Sequence, residues 1–373
     1  MGQGSFMIIH YIILLILPFL MSLLITPLIR QTAIKSNALD LPCERKIHRC
    51  ALPRLGGIAI AIAFFFSLSI GYILLIPEKN GNIEALAGLS IGAAIITFLG
   101  IWDDIRGLNA PKKSMGQLAA ALAILPFGFI VNQINIPFLG VVYIGNLLGA
   151  LLTVFWVMGI INAINFIDGI DGLAGIATLI ILGALFITSY ISNQIQMVLA
   201  CIVLAGAVIG FLRYNLYSAT IFMGDCGSML LGFVTSVVTI KVLFQSPTIV
   251  ASSAAPILIF GLPIVDATWG ILRRFRKGRS PFSADLGHLH HRLLNLGFSQ
   301  SKALLILGLA GFLMTSSGLA IVLLKNEILS VILCISILII TLVMVMLLSR
   351  KSPTCDQRQN NGEIESKSDE VTI

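Results

Sequence analysis

The chain has 373 residues, 57% of them hydrophobic and only 11% charged, with a mean hydropathy of +0.98. A soluble domain carries about 25% charged residues, so this composition excludes a soluble enzyme, a disordered protein and a fibrous one. The formal net charge of +7 has to be explained within an integral membrane protein.

Eleven apolar runs are long enough to cross a bilayer, where about 20 residues span a hydrocarbon core of roughly 30 Å. They cover residues 8–29, 55–76, 83–101, 116–131, 141–161, 173–191, 196–212, 227–244, 253–272, 303–324 and 327–349. Continuous runs, rather than ten-residue alternation, predict helices and not a barrel. The expected fold is an all-α polytopic bundle of about 11 transmembrane helices, one domain over residues 1–349. The first run has no basic residue ahead of it and no small-residue cleavage site after it, so it reads as a retained helix. The tail 350–373 is polar, with almost no large apolar residues, which predicts cytosolic disorder. Six cysteines scatter without a C-x-x-C pair, giving neither a disulfide framework nor metal-site spacing.

The basic residues orient the bundle. Of the 24 Lys and Arg, 21 fall in the odd-numbered loops and the tail; only Lys79, Lys241 and Lys325 lie elsewhere. The positive-inside rule puts those loops in the cytosol and the N-terminus outside. This asymmetry accounts for the net charge, and no nucleic-acid partner is expected.

Nearly all the unusual chemistry sits in the same loops. The first reads DLPCERKIHRCALPRLGG (40–57), the second WDDIRGLNAPKKSMGQ (102–117) and the third NAINFIDGIDGLAG (162–175). The fourth reads IFMGDCGS (221–228) and the fifth RRFRKGRSPFSADLGHLHHRL (273–293). Asp103 and Asp104 are adjacent, Asp168 and Asp171 are three apart, and Asp225 sits in a glycine turn. Adjacent carboxylates repel unless a cation or a proton lies between them. Oxygen ligands from Asp and Asn suit Mg²⁺, which shares its shell with substrate phosphates. A metal with surrounding cations is how proteins neutralise a pyrophosphate. Lys46 and Lys113, set among Gly, Pro and acids, read as substrate contacts. Arg273 to Lys277 read first as a lipid-facing patch, since juxtamembrane cations gain about 1 kcal/mol each near the surface. His288, His290 and His291 lack the further ligands a zinc site needs and fit donation to phosphate better. Asp266 stands inside the ninth run, two turns before Arg273. Such an acid lines a water-filled cavity or forms a structural ion pair.

Taken together these motifs resemble one family. D-x-P-x-x-R-K-x-H-x-x-x-x-P-R-x-G-G, then D-D-x-x-x-L with a downstream Lys and Gln, N-x-x-N-x-x-D-G-x-D-G-L, F-M-G-D-x-G-S and H-x-H-H resemble the polyprenyl-phosphate N-acetylhexosamine-1-phosphate transferases. The resemblance runs in order from Asp40 to Leu293. It is strongest to the branch that starts O-antigen, common-antigen or teichoic-acid lipid carriers.

That resemblance implies transfer of a sugar-1-phosphate, N-acetylglucosamine-1-phosphate first among the choices, from a UDP-sugar to undecaprenyl phosphate. UMP leaves, and the reaction runs at the cytosolic face of the bacterial inner membrane. Other UDP-N-acetylhexosamines and the muramoyl-pentapeptide donor are the alternatives, and a proton-coupled transporter is the alternative of another class. By the same resemblance Asn165 and Asp225 would bind Mg²⁺, with Mn²⁺ as a substitute. Asp103 would orient or deprotonate the lipid phosphate, with Asp104 beside it, and Lys113 would hold a phosphate. Asp171 would contact the uracil and Asp168 would help shape the metal pocket. Arg279, His288, His290 and His291 would line the sugar-diphosphate side. Membrane lipid surrounds the bundle, and a homodimer is compatible with it.

Overall fold

The computed structural model describes residues 2–41, 51–75, 83–136, 140–216, 218–244, 254–278, 287–324 and 326–350. Lys46, Arg279 and the tail from residue 351 lie outside them.

The described chain is helical apart from two short hairpins, the outcome expected when every backbone polar group must be satisfied within the segment. Helix α1 covers Gly2–Lys35, followed by a two-residue pairing of β1 (Leu39–Asp40) with β2 (Leu52–Pro53). Then come α2 (Gly56–Leu75), α3 (Ile83–Arg106) and α4 (Ala110–Ala123). A hairpin of β3 (Gln133–Ile136) and β4 (Gly140–Tyr143) leads to α5 (Gly145–Ile167), α6 (Leu173–Ile191), α7 (Ile195–Asn215) and α8 (Gly224–Thr239). After a π turn at Ile240–Phe244 follow α9 (Ala255–Ile259), α10 (Gly261–Arg276), α11 (Leu289–Asn295), α12 (Gln300–Leu324) and α13 (Glu327–Arg350).

Eight of these helices are long and apolar enough to cross a membrane among the described residues. Two of the other three expected spans take different forms. The run 116–131 does not continue as a helix: α4 has 14 residues, about 21 Å at 1.5 Å per residue, short of the hydrocarbon thickness. Pro126 follows it within a short 3₁₀ turn that closes on Gly128 at φ 79. The run 253–272 is broken at Phe260 into a helix of five residues and one of 16. The last run is one helix of 24 residues, α13.

Helix α8 is the centre of the bundle. Its most apolar window is 89% buried, against 22% for the span Ile8–Lys35, and α2, α3 and α5 all pack on it. Its hydroxyls, Ser228, Thr235, Ser236 and Thr239, are fully buried, and each bonds a carbonyl of its own helix. That is how a polar group is tolerated without water.

The start of α8 is fixed by backbone contact with the first motif. Phe222 N–H donates to Pro53 O at 2.8 Å, Gly56 N–H to Phe222 O at 3.0 Å and Gly57 N–H to Met223 O at 2.7 Å. Hence the P-R-L-G-G and F-M-G-D stretches lie edge to edge. Gly57 meets Gly227 so closely that a methyl at residue 57 would overlap the Gly227 backbone nitrogen. Overpacking of this kind costs roughly 1–3 kcal/mol. Gly57→Ala should therefore lower the melting temperature of the detergent-solubilised protein, while alanine at the open helical Gly183 should not.

Candidate active site

The candidate residues stand on helix ends at the edges of the loops named from sequence. Asp103 and Asp104 occupy the last turn of α3, and Asn165 the last turn of α5. Lys113 lies in the first turn of α4 and Asp225 in that of α8. Helix α4 is started by Asn109, whose side chain accepts from Lys112 N–H at 3.2 Å, with Pro next inside. This is a favoured N-terminal pattern, and it delivers Lys113 to the ends of α3 and α8.

Lys113 Nζ lies 3.0 Å from Asp103 Oδ2 and 2.8 Å from Asp225 Oδ2. Burial by itself would push the Lys113 ammonium down, but the carboxylates of Asp225 and Asp103 outweigh it and hold the pKa above its ordinary value. The lysine stays charged, and that charge allows two acids to sit together in a low-dielectric place. Asp103 also accepts from Leu108 N–H at 2.7 Å. The amide nitrogen of Asn165 donates to Asp225 Oδ1 and to Ser228 Oγ, the latter at 2.8 Å. In this arrangement Asn165 orients Asp225; to serve as an oxygen ligand its amide would turn over.

Asp104 does something different from its neighbour. Its Oδ1 accepts from Asp225 N–H at 2.8 Å and its Oδ2 from Cys226 N–H at 3.0 Å. It thereby caps α8 from another helix, at the end where the helix dipole favours a negative charge. Gly224 enters this turn at φ 71, and a Cβ there would lie 2.5 Å from Asp104 Oδ2. Only glycine meets both demands.

The third motif closes the site. Asp168 caps the end of α5. Burial pushes its carboxyl up to about 7, with the charges of Asp225 and Asp171 adding to the effect. Asp171 Oδ2 accepts from Ala219 N–H at 2.9 Å, and Gly172 N–H donates to Asn215 Oδ1 at 3.2 Å. The D-G-I-D-G turn is therefore tied to the segment between α7 and α8. His290 lies against this turn: a methyl on Gly169 would overlap its Nε2. Burial, with the charge of His291 next in importance, drives His290 down to about 3, so its imidazole is neutral at pH 7. Asp266 finds its partner in His288, whose Nδ1 lies 2.7 Å from Asp266 Oδ2, and not in Arg273.

Lys46 and Arg279 lie outside the described residues, and the remaining expected site residues fall into two groups. Asp103, Asp104, Lys113, Asn165 and Asp225 form one contact network. His288, His290 and His291 form another, joined to the first through the Asp168–Asp171 turn. Gln117 was absent from the expected site residues. It is fully buried, one turn after Lys113, and trades amide hydrogen bonds with Asn162 at 2.8 and 3.4 Å. A glutamine in an otherwise apolar stretch was the available signal, since a buried amide needs a partner.

Carboxylate and amide oxygens beside an ammonium are groups able to hold a divalent cation and a diphosphate. Among the described residues no three His, Cys, Asp or Glu side chains are grouped to hold a metal ion by themselves. An ion here would draw on one or two carboxylates and complete its shell with phosphate oxygens and water, the usual habit of Mg²⁺. The Asp225 carboxylate and the Asn165 amide beside it fit that habit.

Capping and pairing are separable by mutation. Asp104→Ala strips the acceptor from two backbone N–H groups, each costing about 1–3 kcal/mol if left buried and unsatisfied. It should lower the melting temperature in detergent more than Asp103→Ala, which releases only one.

Comparison with known proteins places the chain in a family. The profile of glycosyl transferase family 4 matches residues 86–243, the stretch from α3 through α8 that holds the lysine-bridged acids. A Bacillus subtilis protein named probable undecaprenyl-phosphate N-acetylglucosaminyl 1-phosphate transferase is 36% identical over 315 residues, covering 84% of this chain and 85% of the relative. A Mycolicibacterium smegmatis decaprenyl-phosphate N-acetylglucosaminephosphotransferase is 30% identical over 302 residues, 75% of this chain and 74% of the relative. The Salmonella typhi undecaprenyl-phosphate alpha-N-acetylglucosaminyl 1-phosphate transferase is 29% identical over 311 residues, 80% of this chain and 81% of the relative. With an acidic, lysine-bridged helix junction inside the matched region and likeness along most of its length, the chain belongs to glycosyl transferase family 4.

Proposed function

We propose that this protein transfers N-acetylglucosamine-1-phosphate from UDP-N-acetylglucosamine to undecaprenyl phosphate, releasing UMP at the cytosolic face of a bacterial cell membrane. The observation that carries the reading is the convergence of Asp103, Lys113, Asn165 and Asp225 on the buried start of α8, in a chain of this family. Relatives named for N-acetylglucosamine favour that sugar over a muramoyl-pentapeptide donor. The clustering of Lys and Arg in the odd loops and tail supports the cytosolic side.

In the transfer, a phosphate oxygen of the lipid attacks the β-phosphorus of the donor. The bond from that phosphorus to the bridging oxygen breaks, and UMP departs with the electron pair. Such a step asks for positioning and charge neutralisation more than for covalent help, which favours direct attack. Lys113 would hold a phosphate of the acceptor in place of one of its present carboxylate partners. Asp103 would orient that phosphate, and Asp104 would act through the α8 backbone that carries Asp225. Asp171 would meet the uracil, with Asp168 beside the cation. The imidazoles of His288, His290 and His291 would line the sugar-diphosphate side, together with Lys46 and Arg279. Held by Asp225 and Asn165, Mg²⁺ would neutralise the donor diphosphate, and Mn²⁺ would substitute.

The test is UMP release by membranes containing the protein, supplied with UDP-N-acetylglucosamine and undecaprenyl phosphate. Release should stop in excess chelator and return with Mg²⁺ or Mn²⁺. Asp225→Asn and Asp103→Asn should each fall below about a tenth of the wild-type rate, a barrier increase of roughly 1.4 kcal/mol or more. Full activity in chelator would remove the metal, and a variant near the wild-type rate would remove that residue from the mechanism.

A further inference from the structure

Asp266 is buried at 1% exposure on α10, in a segment that packs against α5, and the mechanism above makes no use of it. Its carboxylate is fully committed. Oδ1 accepts from Leu289 N–H at 2.7 Å, and Oδ2 lies 2.7 Å from His288 Nδ1. A carboxylate oxygen can only accept, so Nδ1 carries a proton and Nε2 is the ring nitrogen left to other partners. The hydrogen bond at one ring nitrogen sets the state of the other. Nε2 in turn faces the Arg274 guanidinium, whose Nη2 is 3.5 Å away.

The ring's faces are fixed as well. Phe166, next to Asn165, lies 5.7 Å from His288 between ring centroids, and Arg274 stacks over Phe166 at 5.6 Å. On the histidine run itself, His290 is parallel to His288 at 5.8 Å. His290 is 2% exposed, and its Nε2 finds no hydrogen-bond partner, although it presses on Gly169 beside Asp168. A buried polar atom without a partner is rare, and this one sits next to the D-G-I-D-G turn.

We propose that Asp266 is a positioning residue for the transfer: by holding His288 Nδ1–H and the Leu289 backbone it fixes the tautomer and orientation of the H-x-H-H imidazoles against the Asp168 turn. The inference rests on the functional reading above. A carboxylate twenty-two residues away, on a different helix, thus sets which nitrogen His288 offers to Arg274. Asp266→Asn keeps size and keeps an acceptor for Leu289, but it turns an amide N–H toward Nδ1. The imidazole must then carry its proton on Nε2, aimed at a guanidinium that can only donate.

The test is a double-mutant cycle in the full-length protein, read as kcat/KM of UMP release for UDP-N-acetylglucosamine. Where turnover falls below detection, the same cycle is read as the donor Kd by calorimetry. Asp266→Asn in the wild-type background should lose about tenfold or more. In a His288→Ala background the same change should cost less than about twofold, because the group it acts through is gone. Equal losses in both backgrounds would show a merely structural role and overturn the proposal. So would an Asp266→Asn protein that folds and keeps the wild-type value. Should Asp266→Asn fail to accumulate in membranes, the cycle is run with Asp266→Glu, which displaces the imidazole by a methylene and must likewise be silent without His288. Absence of UMP release by the wild type would instead defeat the functional reading, so the two failures are distinguishable.

Discussion

The structure turns on a single ammonium group. Lys113 stands between Asp103 and Asp225 where the ends of α3, α4 and α8 meet, and its charge lets those two acids sit together. Two carboxylates in a water-poor junction repel by an amount that grows as the local dielectric falls. Asp104 adds a third carboxylate, tolerated because it spends both oxygens on the N–H groups that open α8. Removing one partner of such a buried arrangement leaves the remaining charge uncompensated, which is costlier than never having the pair. This charge balance explains why the most buried helix of the bundle begins with an aspartate.

Around that junction the bundle is built for close approach. Backbone hydrogen bonds join residues 53–57 to 222–223, and glycines let α2 and α8 touch without side chains between them. In lipid, small residues at helix contacts replace the hydrophobic drive that helices have in water. The same compactness leaves broad apolar faces outside. Ile73, Phe98, Leu147 and Phe155, for instance, are each more than half exposed in the isolated chain, as expected where acyl chains complete the packing. An acceptor whose tail is soluble in the bilayer and whose phosphate is not suits a charged cluster placed at the ends of such helices.

Much of this was legible in the sequence, and the exceptions have physical causes. Composition and run length gave the membrane class and eight of the spanning helices, because about 20 apolar residues in line have few other fates. The runs 116–131 and 253–272 misled because hydropathy does not register helix breaks. Pro126 with Gly128 ends the first, and Phe260 interrupts the second between Pro256 and Pro263. The acids, Lys113 and the histidine run were visible as motifs, since charge is scarce in such a chain. Their pairing was not. Asp104 looked like a twin of Asp103 until its oxygens were seen on the backbone of residues 225 and 226. Asp266 seemed to address Arg273 along its own helix, whereas His288 reaches it from another segment. Long-range partners of this kind leave no periodic trace in a single sequence.

The central claim is that the junction at Lys113 moves a phosphoryl group, and not a bare sugar, onto a lipid phosphate. Phosphorus labelling tests it most directly. Purified protein is given undecaprenyl phosphate and UDP-N-acetylglucosamine carrying ³²P in either the α- or the β-phosphate, and the products are split between organic solvent and water. The account predicts that the β-label passes into the lipid phase while the α-label stays in water as UMP. Retention of both labels in water as UDP, with the sugar alone on the lipid, would contradict it.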